Sequence, residues 1–327
     1  MKHPYLIDLF DKDNWLYPTA SFNSDGGIME EQRTITMPEG VHRLFTYTDS
    51  VMHRSLEQDT NGRIFMHDHH DGYETFFVES GSMTLFIDGK KCLVEKGNII
   101  HLQPYQAHGM IYHDDVIYRG AFHDWNCIDD AVSTSLLETY HPDAKKYPEF
   151  MGMLMENIDM YFREAAADYI ESPASEVTAV RNPARPLQQF SFDGCVMKMI
   201  TARWENGGVN ELWLAELEPG FTAEWVDYPS AQELYYINKG EIKFKVYDTE
   251  FTAGQDCLVK IPKYAPHSME ALKQSAIYDV GGLTKWQAFL GDYVSVKKYD
   301  PERLKDDAAM AALRKKYGCN IKSIGRK

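Results

Sequence analysis

His67-Asp68-His69-His70-Asp71-Gly72-Tyr73-Glu74, followed 34 positions after the glutamate by His108, is the stretch that decides how this chain reads. Successive side chains of a strand point to opposite faces, so His67 and His69 share one face. Asp71-Gly72 is a turn signal that breaks the alternation and brings Glu74 onto the same side at the start of the next strand. His108 arrives from a later strand, after Gly97 and Pro104. Three imidazoles and one carboxylate in this order can close around one divalent ion. The mixture suits iron, manganese, nickel, cobalt, copper or zinc better than calcium or magnesium. One such transition metal per chain is the expected cofactor.

These residues resemble the two motifs of the cupin superfamily. The first reads G-x5-H-x-H-x3-4-E-x6-G, and His67, His69, Glu74 and Gly81 keep its gaps, with the leading glycine displaced to Gly62. The second reads G-x5-P-x-G-x2-H-x3-N. Gly97, Pro104 and His108 follow it with one extra residue before the proline, while Gln106 replaces the inner glycine and Tyr112 the asparagine. Those departures touch loop geometry and not the ligands. The resemblance implies that His67, His69, Glu74 and His108 are the metal ligands of a small β-barrel, with one or two coordination positions left for water or substrate.

The pattern occurs twice. Gln232-Glu233-Leu234-Tyr235-Tyr236-Ile237 parallels Tyr73-Glu74-Thr75-Phe76-Phe77-Val78, and Gly254, Pro262 and His267 parallel Gly97, Pro104 and His108. Glu233 and His267 are also 34 positions apart, and each lies 159 positions after its counterpart. Such agreement predicts two copies of one barrel, a bicupin. Counting back without gaps, Val226 and Tyr228 stand where His67 and His69 would be. Glu224 or Asp227 could substitute only by making a harder, more anionic site. The second barrel is therefore expected to be structural or substrate-shaping, with Glu233 and His267 hydrogen-bonded inside it.

The expected fold is mostly β: two tandem cupin (double-stranded β-helix, or jelly-roll) barrels with a helical connector and a C-terminal helix. The expected boundaries are 1–128 for the metal-binding barrel, 129–172 for the connector, 173–298 for the degenerate barrel and 299–327 for the tail. In the connector, Pro148 suits a first helical turn. Phe150, Met151, Leu154, Met155, Ile158, Tyr161, Phe162, Ala165 and Tyr169 then recur at helical steps. This Met-rich stripe is the expected contact of a homodimer. Ser82–Ile87, Asp88-Gly89 and Lys91–Glu95 read as a hairpin. Pro301–Tyr317 reads as a helix ended by Gly318.

A chain of 327 residues, 44% of them hydrophobic, can bury a large core and fill two domains. Lys and Arg number 34 against 49 Asp and Glu, a net charge of -15, which repels nucleic acid and anionic membrane surfaces. The opening Met1–Asp8 lacks the apolar run of a secretory signal, and no window approaches the ~18 apolar residues of a membrane span. Five scattered cysteines (92, 127, 195, 257, 319) with no Cys-x-x-Cys read as thiols in a reducing cytoplasm. A cytoplasmic protein with a small-molecule partner follows.

A barrel of this size can enclose one small ligand. Phe65, Tyr73, Phe76, Val78, Leu85, Ile100 and Leu102 are interleaved with the ligands, and some of them are expected to point inward and make a dry pocket around the metal. His123 and Tyr118 are the candidate catalytic acid/base groups beside the metal, because histidine titrates near neutral pH. His53, His101, Tyr105 and Trp125 lie on further candidate strands or rims. Three functions fit. The first, slightly preferred from the resemblance to quercetin-dioxygenase-like bicupins, is oxidative cleavage by dioxygen at the metal. The second is a non-oxidative isomerase, lyase or decarboxylase of a sugar acid or keto acid, with the metal as Lewis acid. The third is a binding protein without catalysis.

Overall fold

A computed structural model describes residues 3–9, 11, 23–24, 27–28, 31–36, 43–50, 63–70, 72–113, 116–123, 149, 152, 159, 161–208, 211–228, 232–281 and 285–326. The chain divides into two units, one formed by Trp15–Arg185 and the other by Met1–Asn14 together with Pro186–Lys327.

The Trp15–Arg185 unit is built from two six-stranded sheets. In one, Tyr73–Ser80 lies between Ile99–Leu102 and Val116–His123, with Val180–Arg181, Arg43–Ser50 and Glu31–Thr36 beyond. In the other the order is Tyr161–Phe162, Arg63–Asp68, His108–Tyr112, Ser82–Ile87, Lys90–Glu95 and Ile170–Glu171. The hairpin read at Asp88-Gly89 is present, both residues taking positive φ (50° and 71°) as a two-residue turn that matches strand twist requires. Alternate side chains of Ser82–Ile87 are buried, and Met83, Leu85 and Ile87 are fully so. They join Phe76, Val78, Val94, Ile100, Leu102 and Met110 in one apolar cluster. Each such side chain contributes on the order of 1.5–3 kcal/mol by leaving water.

The other unit repeats the plan with a seven-stranded and a five-stranded sheet. Leu6–Asp8 pairs with Cys257–Ile261, so the first residues of the chain complete this unit and not the preceding one. The expected boundary at 1–128 is corrected accordingly. The expected tail also differs. Trp286–Tyr299 and Asp307–Tyr317 are helices, with a short 3-10 turn at Pro301–Lys305 between them. Gly318 then takes a left-handed φ of 57° and the chain returns as the strand Asn320–Arg326 against Phe221–Asp227.

The same return follows the first barrel. Tyr161 and Phe162, read as part of a helical stripe, are a strand paired with Asp68 and His67. Backbone hydrogen bonding to an open sheet edge outweighed the side-chain periodicity there. Within the expected connector 129–172, Tyr161–Phe162 and Ile170–Glu171 are strands of the Trp15–Arg185 unit. The Met-rich portion of the stripe lies outside the described residues, apart from helical positions at Glu149 and Gly152, as do His53, Cys127 and Trp125. Cys92, Cys195, Cys257 and Cys319 are buried free thiols. Among the described residues no helix is long and apolar enough to cross a membrane.

Candidate metal centre

His67 lies near the end of the strand Arg63–Asp68, His69 just past it, Glu74 at the start of Tyr73–Ser80 and His108 at the start of its strand. Antiparallel pairing sets His67 directly opposite His108. One ligand atom from each of the four residues lies within 4.8 Å of all the others. Glu74 Oε2 is 3.4 Å from His69 Nε2 and 3.1 Å from His108 Nε2, and all four residues are at most 6% exposed. The four residues singled out in the sequence are brought together.

The donor atoms are oriented from behind. His108 Nδ1 donates to the Gln106 carbonyl at 2.9 Å, and His69 Nδ1 donates to the Asp159 carbonyl at 2.5 Å. A carbonyl can only accept, so each ring carries a proton on Nδ1, which leaves Nε2 as the nitrogen that faces Glu74 and that would ligate an ion once its own proton is given up. Burial alone would raise the Glu74 pKa, but the imidazoles of His69, His108 and His67, with a hydrogen bond from His108, draw it down to about 2. The carboxylate is therefore ionised at neutral pH. Two Nε2 donors held on a buried carboxylate, with a third imidazole beside them, fit a divalent first-row ion.

Phe76, Val78, Leu85, Ile100 and Leu102 belong to the interior cluster, as expected. Tyr73 does not: it is half-buried and parallel to His101, whose Nδ1 lies 3.0 Å from Thr75 Oγ1. The side chain of Phe65 lies outside the described residues. Tyr118 is buried in the cluster, edge-on to Phe76 at 5.4 Å, and pairs with Val78. At ~3.4 Å per residue that is about 13 Å along the strand from Glu74. Position 123 pairs with Tyr73 and position 122 with Glu74, so the backbone sets 123 on the face of Tyr73; its side chain lies outside the described residues. His70 is half-buried between the rings of Tyr161 (3.7 Å, 5°) and Tyr105 (4.4 Å, 26°).

In the other unit Glu233 and His267 also meet, at 3.2 Å, and both are buried. His267 Nδ1 donates to the Ala265 carbonyl at 2.9 Å, the counterpart of the Gln106 contact. The residue opposite His267 is Trp225, not Val226, because the register shifts between Trp225 and Asp227 and admits one extra residue. Val226 is 56% exposed, whereas the Trp225 ring stacks on His267 at 4.5 Å and fills the place His67 takes in the first barrel. Tyr228 holds the His69 position, its carbonyl accepting from Tyr264 as that of His69 accepts from Tyr105. Tyr235 Oη donates to Glu233. Glu224 pairs with Lys322 and Asp227 accepts from Asn320, so neither serves as a ligand. Among the described residues the first barrel holds the one cluster suited to a metal.

Residues 57–118 match the family model of the cupin domain. Solved structures with the same two-barrel arrangement cover 85% of the chain. The chain has a bicupin fold. A tryptophan-to-phenylalanine variant of Bacillus subtilis oxalate decarboxylase aligns with a TM-score of 0.51 at 13% identity, over 77% of its own length. Lactobacillus farciminis oxalate decarboxylase, solved as a formate complex, gives 0.51 at 14% identity over 85% of its length. A further B. subtilis oxalate decarboxylase structure, described for its Mn(II) centres, aligns with this bicupin at 0.50 and 13% identity, over 85% of this chain and 77% of that one. At such identities the likeness is one of fold. No curated protein sequence matches the chain.

Proposed function

We propose that this bicupin is a metal-dependent enzyme acting on a small organic acid at a single centre in its first barrel. The convergence of His67, His69, Glu74 and His108 in a buried, apolar setting carries the reading. A first-row divalent ion held there supplies a Lewis acid for a substrate oxygen and, when redox-active, a partner for dioxygen. The chain's own residues do the rest. His69 and His108 are fixed as Nε2 donors, Glu74 stays ionised, and Phe76, Val78, Ile100 and Leu102 keep the interior dry, which strengthens charge interactions inside it.

Decarboxylation of a small carboxylate is the reaction to test first. The similar folds are oxalate decarboxylases, one of them described for Mn(II) centres. The apolar lining favours dioxygen-dependent cleavage as the second reading, because a dry site limits side reactions. The test is CO2 release and O2 uptake by metal-reconstituted protein across small carboxylic acids, oxalate included. CO2 without O2 consumption gives the first reaction and stoichiometric O2 uptake the second. Metal-loaded protein inert across the panel leaves a binding protein, and protein that takes up no metal removes the proposal altogether.

A further inference from the structure

Asp159 lies 90 residues from His69 in sequence and holds the ligand segment at two points. Its carbonyl accepts from His69 Nδ1, and its carboxylate Oδ1 accepts from the His70 backbone N–H at 2.8 Å. It is 5% exposed and has a positive φ of 52°, a conformation few residues with a side chain adopt. The chain that follows keeps the clamp closed. Tyr161 pairs with Asp68 and stacks on His70, the Arg163 N–H donates to the Met66 carbonyl, and its guanidinium binds both oxygens of Asp68 at 2.7 and 2.9 Å.

The duplicated unit provides an internal control. The residue 159 positions on is Gly318, with φ 57°, and the following strand pairs Asn320 with Asp227 as Tyr161 pairs with Asp68. The turn is the same in both copies. Glycine makes it where there is no metal cluster, and aspartate makes it where His69 must be aimed. We infer that Asp159 is a positioning residue of the metal centre, fixing the ring of His69 through its carbonyl and the backbone of the His-rich segment through its carboxylate. The inference rests on the metal reading given above.

The test is titration of the metal-free full chain with Co(II), followed by visible absorption and by competition with a chelator. Asp159→Gly keeps the backbone conformation and removes the carboxylate. It is expected to bind Co(II) about tenfold or more weakly, with an altered absorption spectrum, as loss of a group supporting a ligand does. Its metal-free melting temperature should stay close to that of the wild type, since glycine suits the conformation. Asp159→Asn, which keeps the acceptor, is expected to match the wild type in affinity and spectrum. That variant tests the assignment even where the glycine variant folds poorly. Wild-type affinity in Asp159→Gly, or a loss in Asp159→Asn as large as in Asp159→Gly, overturns the inference while the metal reading stands. Wild-type protein that takes up no Co(II), as His69→Ala is expected to do, overturns both.

Discussion

The two barrels keep the same glutamate–histidine pair and differ in what stands beside it. In the first, Glu74 and His108 face two further imidazoles; in the second, His267 faces the Trp225 ring and Glu233 the Tyr235 hydroxyl. A buried carboxylate needs compensation either way. One copy sets three imidazoles around it, the other a hydrogen bond from Tyr235 and a paired histidine. The difference is one of packing as well as of chemistry, since the Trp225 indole stands opposite His267 where the His67 imidazole stands opposite His108.

The largest effect that breaks this comparison is His69→Ala. It should remove most bound metal while leaving the fold largely intact, read as metal per chain by elemental analysis beside the circular dichroism spectrum. Metal content unaltered by that change would count heavily against the ligand assignment.

Next in size is Trp225→Ala in the second barrel. Emptying a fully buried indole site costs on the order of 3–5 kcal/mol. Denaturant unfolding should show that loss with metal content unchanged. A neutral outcome would mean the ring is not what fills the degenerate site.

The two carboxylate–histidine pairs should also change stability with pH in opposite directions in metal-free protein. Glu74 has a lowered folded pKa, so its contribution is present above about pH 4.5 and is lost as pH falls toward about 2. For His267, burial opposes the charged form, but the charge and hydrogen bond of Glu233 prevail and raise the folded pKa. Its contribution is therefore complete below about pH 6.5 and is lost as pH rises through the folded value. Melting temperatures across pH should lose the decline toward acid selectively in Glu74→Gln and the decline with rising pH above about 6.5 in His267→Gln. The smallest effect is the metal content of His267→Ala, which should differ little from wild type; a fall toward half would show that the second barrel binds metal after all.

Much of this contrast was legible in the sequence. The meeting of His67, His69, Glu74 and His108 was, because strand alternation and a turn bring residues at those spacings together. The hairpin at Asp88-Gly89 was, because its turn admits few residues. Trp225 was not: counting without gaps cannot see the extra residue that shifts the register, and so it pointed to Val226. Asp159 was missed because half of its contribution is a carbonyl, which any residue has. The repeat offset linking it to Gly318 was the available signal. The strands Tyr161–Phe162 and Asn320–Arg326 were missed for a related reason. Short edge strands take their stability from the backbone they pair with, and their own side chains say little about it.

The strand Asn320–Arg326 covers the outer edge of Phe221–Asp227, the segment that carries Trp225. Proteolytic trimming of those residues, or a fusion that pulls them away, would bare the row of backbone amide and carbonyl groups of Phe221–Asp227 that the strand now pairs. Such an edge invites pairing with any extended chain nearby, so shortened preparations of this protein should tend to clump while the first barrel is still folded.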